Sequence, residues 1–390
     1  MIDFAPPSEV TDLAERTRAF VREVCIPAEA RHQGHDLDPA LRAELQEAAR
    51  RAGVFAPHVP REYGGHALDV RGWSVVFEEA GYSLLGPQAL NCAAPDEGNM
   101  RLLEVTATPE QRERFLAPLA RGEVRSCFAM TEPHPGAGSD PSALATTARR
   151  VDGGWVIDGE KRFISGADGA AFAICMARAP EGATMFFIDA DNPGWQVGRR
   201  MPTTDTVFAG GHCEVVLHEC RVDDDAVLGE IGQGFRHAQV RLGPARLTHC
   251  MRWLGLARRA LDVALDRAGE RELFGAPIEE LGLAQGPIAD AVIDLEASRG
   301  LIRWAAWAID SGQPARHETS IAKVFVSEAT FRIVDRAVQL LGGDGVTHDL
   351  PVARFLNEVR PFRIYDGPSE THRWAIARRA SRSRVAERGA

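Results

Sequence analysis

The chain has 390 residues, 45% hydrophobic and 26% charged, with a formal net charge of -10. That length allows two or three domains with substantial cores. The negative balance speaks against a nucleic-acid-binding protein, and no apolar run is long enough to span a bilayer.

Lys161 and Lys323 are the only lysines among 45 lysines and arginines, a bias that reads as coding composition rather than function. The seven cysteines (Cys25, Cys92, Cys127, Cys175, Cys213, Cys220 and Cys250) show no C-x-x-C pair, and no signal-peptide pattern opens the sequence. They read as reduced thiols of a cytoplasmic protein, and no metal site is expected.

From Glu9 to about Glu123 the apolar spacing is helical. Leu13, Phe20, Val21 and Val24 share a face, and so do Leu41, Leu45, Ala48 and Ala49. A break at Pro60 to Gly65 precedes a helix over Val70 to Tyr82. Thr108, Pro109 and Gln111 spell a helix start with a capping box. Residues 1–124 are therefore expected to form an N-terminal α-helical domain.

The pattern changes near Arg125. Two strand-like runs, Trp155 to Ile157 and Phe163 to Ile164, predict a hairpin turning at Asp158-Gly159. Further strand-like runs follow at Met185 to Ile188 and Cys213 to Leu217. Residues 125–231 thus predict a small antiparallel, barrel-like β domain. After Gly232-Gln233-Gly234 the helical period returns in Leu254, Ala257, Leu261 and Ala264, then Ile288, Val292 and Leu295, then Ile321, Val324 and Phe325. Pro277 and Pro314 punctuate these helices. Residues 232–390 predict a C-terminal four-helix bundle, and the fold class is α+β.

Several stretches could carry chemistry. Phe128-Ala129-Met130-Thr131-Glu132-Pro133 feeds Gly136-Ala137-Gly138-Ser139-Asp140, a Gly-rich loop whose N–H groups can approach a ligand closely. Period-two alternation over Lys161 to Ser165 puts Phe163 and Ser165 on one face. Arg271 offers a fork that suits a diphosphate, and Gln339 to Gly345 is a helix end opening into glycines. Near the C-terminus, Arg363-Ile364-Tyr365-Asp366-Gly367-Pro368-Ser369-Glu370-Thr371-His372 interrupts the helical pattern with a turn. Singly, each has a bland reading as a surface arginine, a glycine cap or a packed aromatic.

Taken in order, these segments resemble the acyl-CoA dehydrogenases, and the resemblance covers essentially the whole chain. It implies an FAD-dependent enzyme that converts an acyl-CoA thioester to the trans-2-enoyl-CoA. Asp366 would remove the α-proton while flavin N5 accepts the β-hydride. The resemblance implies cofactor contacts from Phe128, Met130, Thr131, Ser139, Phe163, Ser165, Pro368 and Glu370. It gives Arg271, Phe274, Gln285, Gln339, Gly342 and Gly343 to the pyrophosphate and adenine, the glycine segment reaching a neighbouring subunit's cofactor. Substrate contacts would come from Ser139, Arg246 and Gly367. An electron-transfer flavoprotein as acceptor and a homodimer or homotetramer are implied as well.

The chain departs from the usual family pattern in three places. Tyr365-Asp366-Gly367-Pro368 stands where the family reads Tyr-Glu-Gly-Thr, and Phe163-Ile164-Ser165 where it reads Trp-x-Thr. His134-Pro135 looks like an insertion. Aspartate has about 1.5 Å less reach than glutamate. A subgroup of the family shares the aspartate, with similar Arg241-Leu242-Gly243-Pro244 and Asn91-Cys92-Ala93-Ala94-Pro95-Asp96 segments, and the chain is placed there. Ala245 occupies the helix position that carries the base in other members, which leaves Asp366 without a rival. The alternatives are a nitroalkane oxidase-like enzyme that uses Asp366 and oxygen, and a catalytically idle flavoprotein.

Overall fold

Amphipathic spacing in the first third of the chain produces helices that each bury one stripe. The computed structural model describes residues 5–32 and 37–389. Helices α1 (Ser8–Phe20), α2 (Pro39–Arg51), α3 (Val70–Gly81) and α4 (Asp96–Thr106) are joined by shorter helical turns. Leu13 and Phe20 are buried on α1, Leu45 and Ala49 on α2. Asp38 and Asp69 cap α2 and α3 through their side-chain oxygens. The capping box forms as spelled: Gln111 N–H donates to Thr108 Oγ1 at 3.2 Å, and Thr108 N–H donates to Gln111 Oε1 at 3.1 Å.

The middle of the chain is one sheet of eight strands: β1 (Ser126–Ala129), β2 (Thr147–Val151), β3 (Gly154–Ser165), β4 (Phe172–Ala179), β5 (Gly182–Asp189), β6 (Trp195–Arg200), β7 (His212–Asp223) and β8 (Val227–Leu228). Their order is β6-β7-β3-β2-β4-β5-β8, with β1 also on β4. The predicted turn at Asp158-Gly159 is absent, because Gly154–Ser165 is a single strand and the chain reverses before it, between β2 and β3. Gly159 sits at a register shift against β7, where a Cβ would lie 2.6 Å from Thr146 Oγ1. Its glycine serves close backbone approach rather than reversal. The ladder also departs from strict antiparallel pairing: β1 runs parallel to β4, and β2 meets β4 in parallel at Thr147. A long connection separates β1 from β4, as parallel neighbours require.

The last third holds α5 (Gly234–Glu270), α6 (Gly282–Asp310), α7 (Arg316–Leu341), the short α8 (Val352–Val359) and α9 (Ser369–Gly389). On α5 the predicted stripe of Leu254, Ala257, Leu261 and Ala264 is buried. On α7 it is displaced by one residue. Ala322, Val326, Ala329 and Ile333 face the core, while Ile321, Val324 and Phe325 are half-buried. Small residues let α7 approach its neighbours, so the larger side chains flank the contact. Val292, expected inside α6, is exposed, whereas Leu295 is buried.

The helical domains dock backbone to backbone. A Cβ on Gly81 would lie 2.1 Å from the Arg252 carbonyl oxygen, and one on Gly255 would lie 2.0 Å from that of Glu78. Only glycine at both places lets α3 and α5 cross this closely. Around the crossing, Glu78 and Glu79 pair with Arg258 and Arg299. All seven cysteines are free and buried. Among the described residues no helix is long and apolar enough to cross a membrane.

Candidate active site

The Asp366 loop is built by three neighbouring helices. After α8 the chain passes through a 3-10 turn at Arg360–Arg363 and restarts as α9 at Ser369. Between them Asp366 takes φ +54 and Gly367 φ +92. A left-handed aspartate stores strain on the order of 1 kcal/mol or more, so the surroundings must hold it. The Asp366 carbonyl accepts from Arg246 Nε at 3.0 Å and His372 Nε2 at 3.1 Å, and Lys323 Nζ donates to the Gly367 carbonyl at 2.7 Å. A carbonyl can only accept, so His372 carries its proton on Nε2, and Nδ1 accepts from Ser320 Oγ at 3.1 Å. Burial, with Arg246 nearby, pushes His372 down to about 4, and burial brings Lys323 down to about 8. A Cβ at position 367 would stand 2.7 Å from His372 Nε2, so glycine is required there.

The carboxylate itself is left under-bonded. The Asp366 side chain is 18% exposed, and its Oδ2 is buried without a hydrogen bond, 3.5 Å from His249 Nε2. Its backbone N–H also makes no hydrogen bond among the described residues. A sealed acceptor and an unpaired donor on one strained residue cost folding energy, and Oδ1, neither sealed nor hydrogen-bonded among the described residues, is the carboxylate oxygen open to a ligand. Beside them opens a mainly apolar cleft lined by all three regions: Leu84 and Ala94 before α4, Phe208 before β7, and His249, Arg252 and Trp253 on α5. Trp253 Nε1–H donates to the Tyr365 hydroxyl, which fixes the ring before Asp366. Arg252 donates to Glu97 at 3.0 Å and to the Cys92 carbonyl at 2.8 Å, while Asp96 accepts from Ser126 N–H at 2.8 Å. The Asn91-to-Asp96 stretch therefore ties α4 to both α5 and the sheet.

On the sheet side, Phe163 lies at a second register shift in β3 with φ +58 and is 50% exposed, between a buried Ile164 and a half-buried Arg162. Ser165 Oγ lies 2.8 Å from His212 Nδ1, and His212 Nε2 lies 3.1 Å from Asp205. His212 packs on Phe208, and Phe208 on Tyr365, at ring separations of 4.9 and 6.2 Å. One chain of contacts thus joins Ser165 to the Asp366 loop. The ring of Phe128 is covered by Arg241 at 4.3 Å.

The Gly-rich loop differs from its sequence reading. Glu132, not assigned a role there, accepts from Ala137 N–H at 2.9 Å, Ala145 N–H at 2.7 Å, Thr146 N–H at 2.9 Å and Lys161 Nζ at 2.9 Å. Burial alone would push this carboxyl up, but Lys161 and the other donors bring it down to about 2. Much of the loop's N–H capacity is thereby used internally. Met130 and Thr131 offer half-buried surface, and their carbonyls accept from Lys161 at 3.4 Å and Arg162 N–H at 2.9 Å. Around Gly138 there is open space, and Ser139 is exposed.

The remaining candidates form a separate group. Arg271 caps α5, and its guanidinium lies 3.6 Å from where a Gly342 Cβ would be. Arg267 pairs with Asp344 at 2.9 Å, tying the two segments together. Phe274 is 97% exposed, and Gln285, Gln339, Gly342 and Gly343 are exposed too. Arg246 and Arg271 are 25 residues apart along α5, about 37 Å at the helical rise of 1.5 Å. Pro368 accepts from His372 N–H at 3.2 Å, and Glu370 is exposed in the first turn of α9. Open space at Gly138 and a half-exposed aromatic on a left-handed bulge fit one part of a dinucleotide site, while open space at Gly275 and Gly343 and a guanidinium beside glycines fit another. Sequence reading assigned no role of their own to Glu97, Glu132, His212, His249, Arg252 and His372, although Glu132 and His372 lie inside stretches singled out for chemistry. A usable signal existed only for the two lysines, both fully buried at these loops.

Three family models match the chain in tandem: acyl-CoA dehydrogenase N-terminal domain over residues 7–123, middle domain over 127–220 and C-terminal domain over 232–381. The Mycobacterium tuberculosis protein named "Probable acyl-CoA dehydrogenase FadE2" is 36% identical, over 97% of this chain and 96% of its own. (R)-benzylsuccinyl-CoA dehydrogenase of Thauera aromatica is 34% identical, over 97% of each. Acyl-CoA dehydrogenase family member 11 of Mus musculus is also 34% identical, over 96% of this chain, which spans only 51% of that relative. Among solved structures, butyryl-CoA dehydrogenase from Megasphaera elsdenii superposes with a TM-score of 0.87 at 28% identity, covering 96% of this chain and 98% of that one.

Proposed function

This chain belongs to the acyl-CoA dehydrogenase family of flavin-dependent oxidoreductases, and from that premise we propose that it oxidises an acyl-CoA thioester to the trans-2-enoyl-CoA with Asp366 as the base. The observation that carries this reading is the Asp366 carboxylate, held on a strained turn beside an apolar cleft with a sealed oxygen that has no hydrogen bond. FAD, when bound, accepts the hydride that leaves the β-carbon. Asp366 takes the α-proton, and the electron pair released becomes the new π bond between the two carbons. Its spare backbone N–H can donate to the thioester oxygen as negative charge develops there. Arg246, His372 and Lys323 hold the carbonyls of the turn, so carboxylate and N–H keep their direction. Leu84, Ala94, Phe208 and Trp253 line the cleft that would take the acyl chain and exclude water from it.

Phe163 and Ser165 would face the flavin ring, with Phe128, Met130 and Thr131 along its edge and Gly138-Ser139 beyond. Arg271, at the far end of α5 from Arg246, would with Phe274, Gln285 and Gln339 to Gly343 complete a neighbouring subunit's dinucleotide site, so a homodimer or homotetramer belongs to the proposal. An electron-transfer flavoprotein as acceptor belongs to the same proposal. So does a cytoplasmic location, supported by seven buried free thiols.

Anaerobic mixing of the FAD-loaded protein with a panel of acyl-CoAs tests the reading. Flavin bleaching with release of an enoyl-CoA is expected for at least one acyl chain. Bleaching by nitroalkanes but by no acyl-CoA would overturn it.

A further inference from the structure

Among the described residues the Asp366 carboxylate has one ion-pairing neighbour, His249, whose proton can be located. On α5, Arg246, His249 and Arg252 follow one another at three-residue spacing and so share a face. Arg252 Nη2 lies 3.3 Å from His249 Nδ1. A guanidinium can only donate, so Nδ1 must accept, and the imidazole proton sits on Nε2. Arg252 is in turn anchored by Glu97 and by the Cys92 carbonyl. The tautomer is thus set from the N-terminal domain.

We propose that His249 is a positioning residue for Asp366: its Nε2–H donates to Oδ2 and leaves Oδ1 aimed at the substrate α-carbon. This inference rests on Asp366 being the base. Nε2 and Oδ2 are 3.5 Å apart, so a movement of about 0.5 Å brings them within hydrogen-bond range. Oδ2 has no other partner, whereas Oδ1 is neither sealed nor hydrogen-bonded among the described residues. The imidazole is braced by Tyr365 at 4.9 Å and Phe362 at 5.7 Å.

The groups that face it are Arg252 and Arg241 of α5, Glu97 of α4 and Lys323 of α7. Burial, then Arg252, keep His249 well below its usual range, with Arg241 and Lys323 adding and Glu97 opposing. A neutral donor fixes the carboxylate without the full positive charge that would weaken it as a base. Aspartate gains most from such help, because its shorter reach leaves little tolerance for misdirection.

The test compares H249F, H249Q and D366N, each loaded with FAD. Flavin reduction is measured in a single turnover, alongside affinity for a thioester that cannot be oxidised. H249F should reduce its flavin about 10- to 100-fold more slowly while binding the thioester near wild-type affinity. H249Q, whose amide can still donate, should recover much of the rate. Wild-type reduction by H249F with an inactive D366N overturns the His249 inference alone, whereas wild-type reduction by D366N overturns the base assignment beneath it. Equal losses in H249F and H249Q with weakened thioester binding would make His249 only a wall of the cleft, and also overturn the inference. Independent of turnover, the nitrogen-15 spectrum of labelled histidine, assigned by the signal lost in H249Q, should show Nε2–H for His249. An Nδ1–H tautomer contradicts the proposal.

Discussion

Glu132 and Asp366 are both mainly buried carboxylates in loops, one in the middle domain and one in the C-terminal bundle, and they are treated oppositely. Glu132 receives three backbone N–H groups and the Lys161 ammonium, and it is held down to about 2. Asp366 sits at φ +54 with a sealed oxygen that receives no hydrogen bond. A carboxylate saturated with donors has little remaining affinity for a proton and acts as a structural post. One whose carbonyl is held by Arg246 and His372, but whose carboxylate receives no such donors, stays free to meet a substrate. Surrounding donors, more than residue type, separate the two roles.

The largest effect should follow from removing the working carboxylate. D366N keeps the size and the backbone N–H, so thermal stability should be nearly unchanged. Reduction of the flavin by acyl-CoA should fall by at least about 10²–10⁴-fold, the usual worth of a general base, in stopped-flow measurements. The structural carboxylate should behave in the reverse way. E132Q leaves Lys161 buried without its counter-charge, so denaturant unfolding should show a loss of about 3–5 kcal/mol. The protein that remains folded, given saturating FAD, should reduce its flavin at close to the wild-type rate.

G367A probes the strain between these extremes. A methyl group would strike His372 Nε2 and oppose φ +92. The displaced turn should slow flavin reduction by about 10²-fold in the same assay, with a smaller loss of stability.

The smallest effect is a pH dependence that differs at the two loops. His372 is held at about 4, against 6.5 unfolded, so between those values the unfolded chain binds more protons and stability falls as pH falls. His58, at about 4, adds to the same slope. The loss should be on the order of 1 kcal/mol per histidine for each pH unit. Glu132, with its lowered value, contributes stability that is present above about 4.3 and is lost only as pH falls toward 2. Melting temperatures of the wild type should therefore decline from pH 6.5 to about 4. H372N should flatten that decline, while E132Q should leave its slope unchanged.

Much of the architecture was legible in the sequence, because helical stripes, caps and the return of period at Gly232 are local signals. Gly159 misled, since a glycine chosen for close approach to Thr146 looks the same in sequence as one chosen for a turn. On α7 the larger side chains misled, because alanines made the contact. The Asp366 turn was legible as a break in the helical pattern, and its role only through likeness to a family. Its supports were not, because Arg246, His249, Lys323 and His372 come from three helices separated by dozens of residues, and a histidine inside an apolar helix reads as core. The two lysines were the missed clue. In a chain that otherwise uses arginine, a compact ammonium was kept where it must fit inside, on Glu132 and on the Gly367 carbonyl.

The most direct measurement isolates proton removal from hydride transfer. A thioester with sulfur in place of the β-carbon can lose its α-proton but has no β-hydride to give. In deuterated water the wild type and E132Q should exchange its α-hydrogens for deuterium, and D366N should not. Exchange by D366N at the wild-type rate would show that the base lies elsewhere, with Glu370 the next carboxylate along the loop.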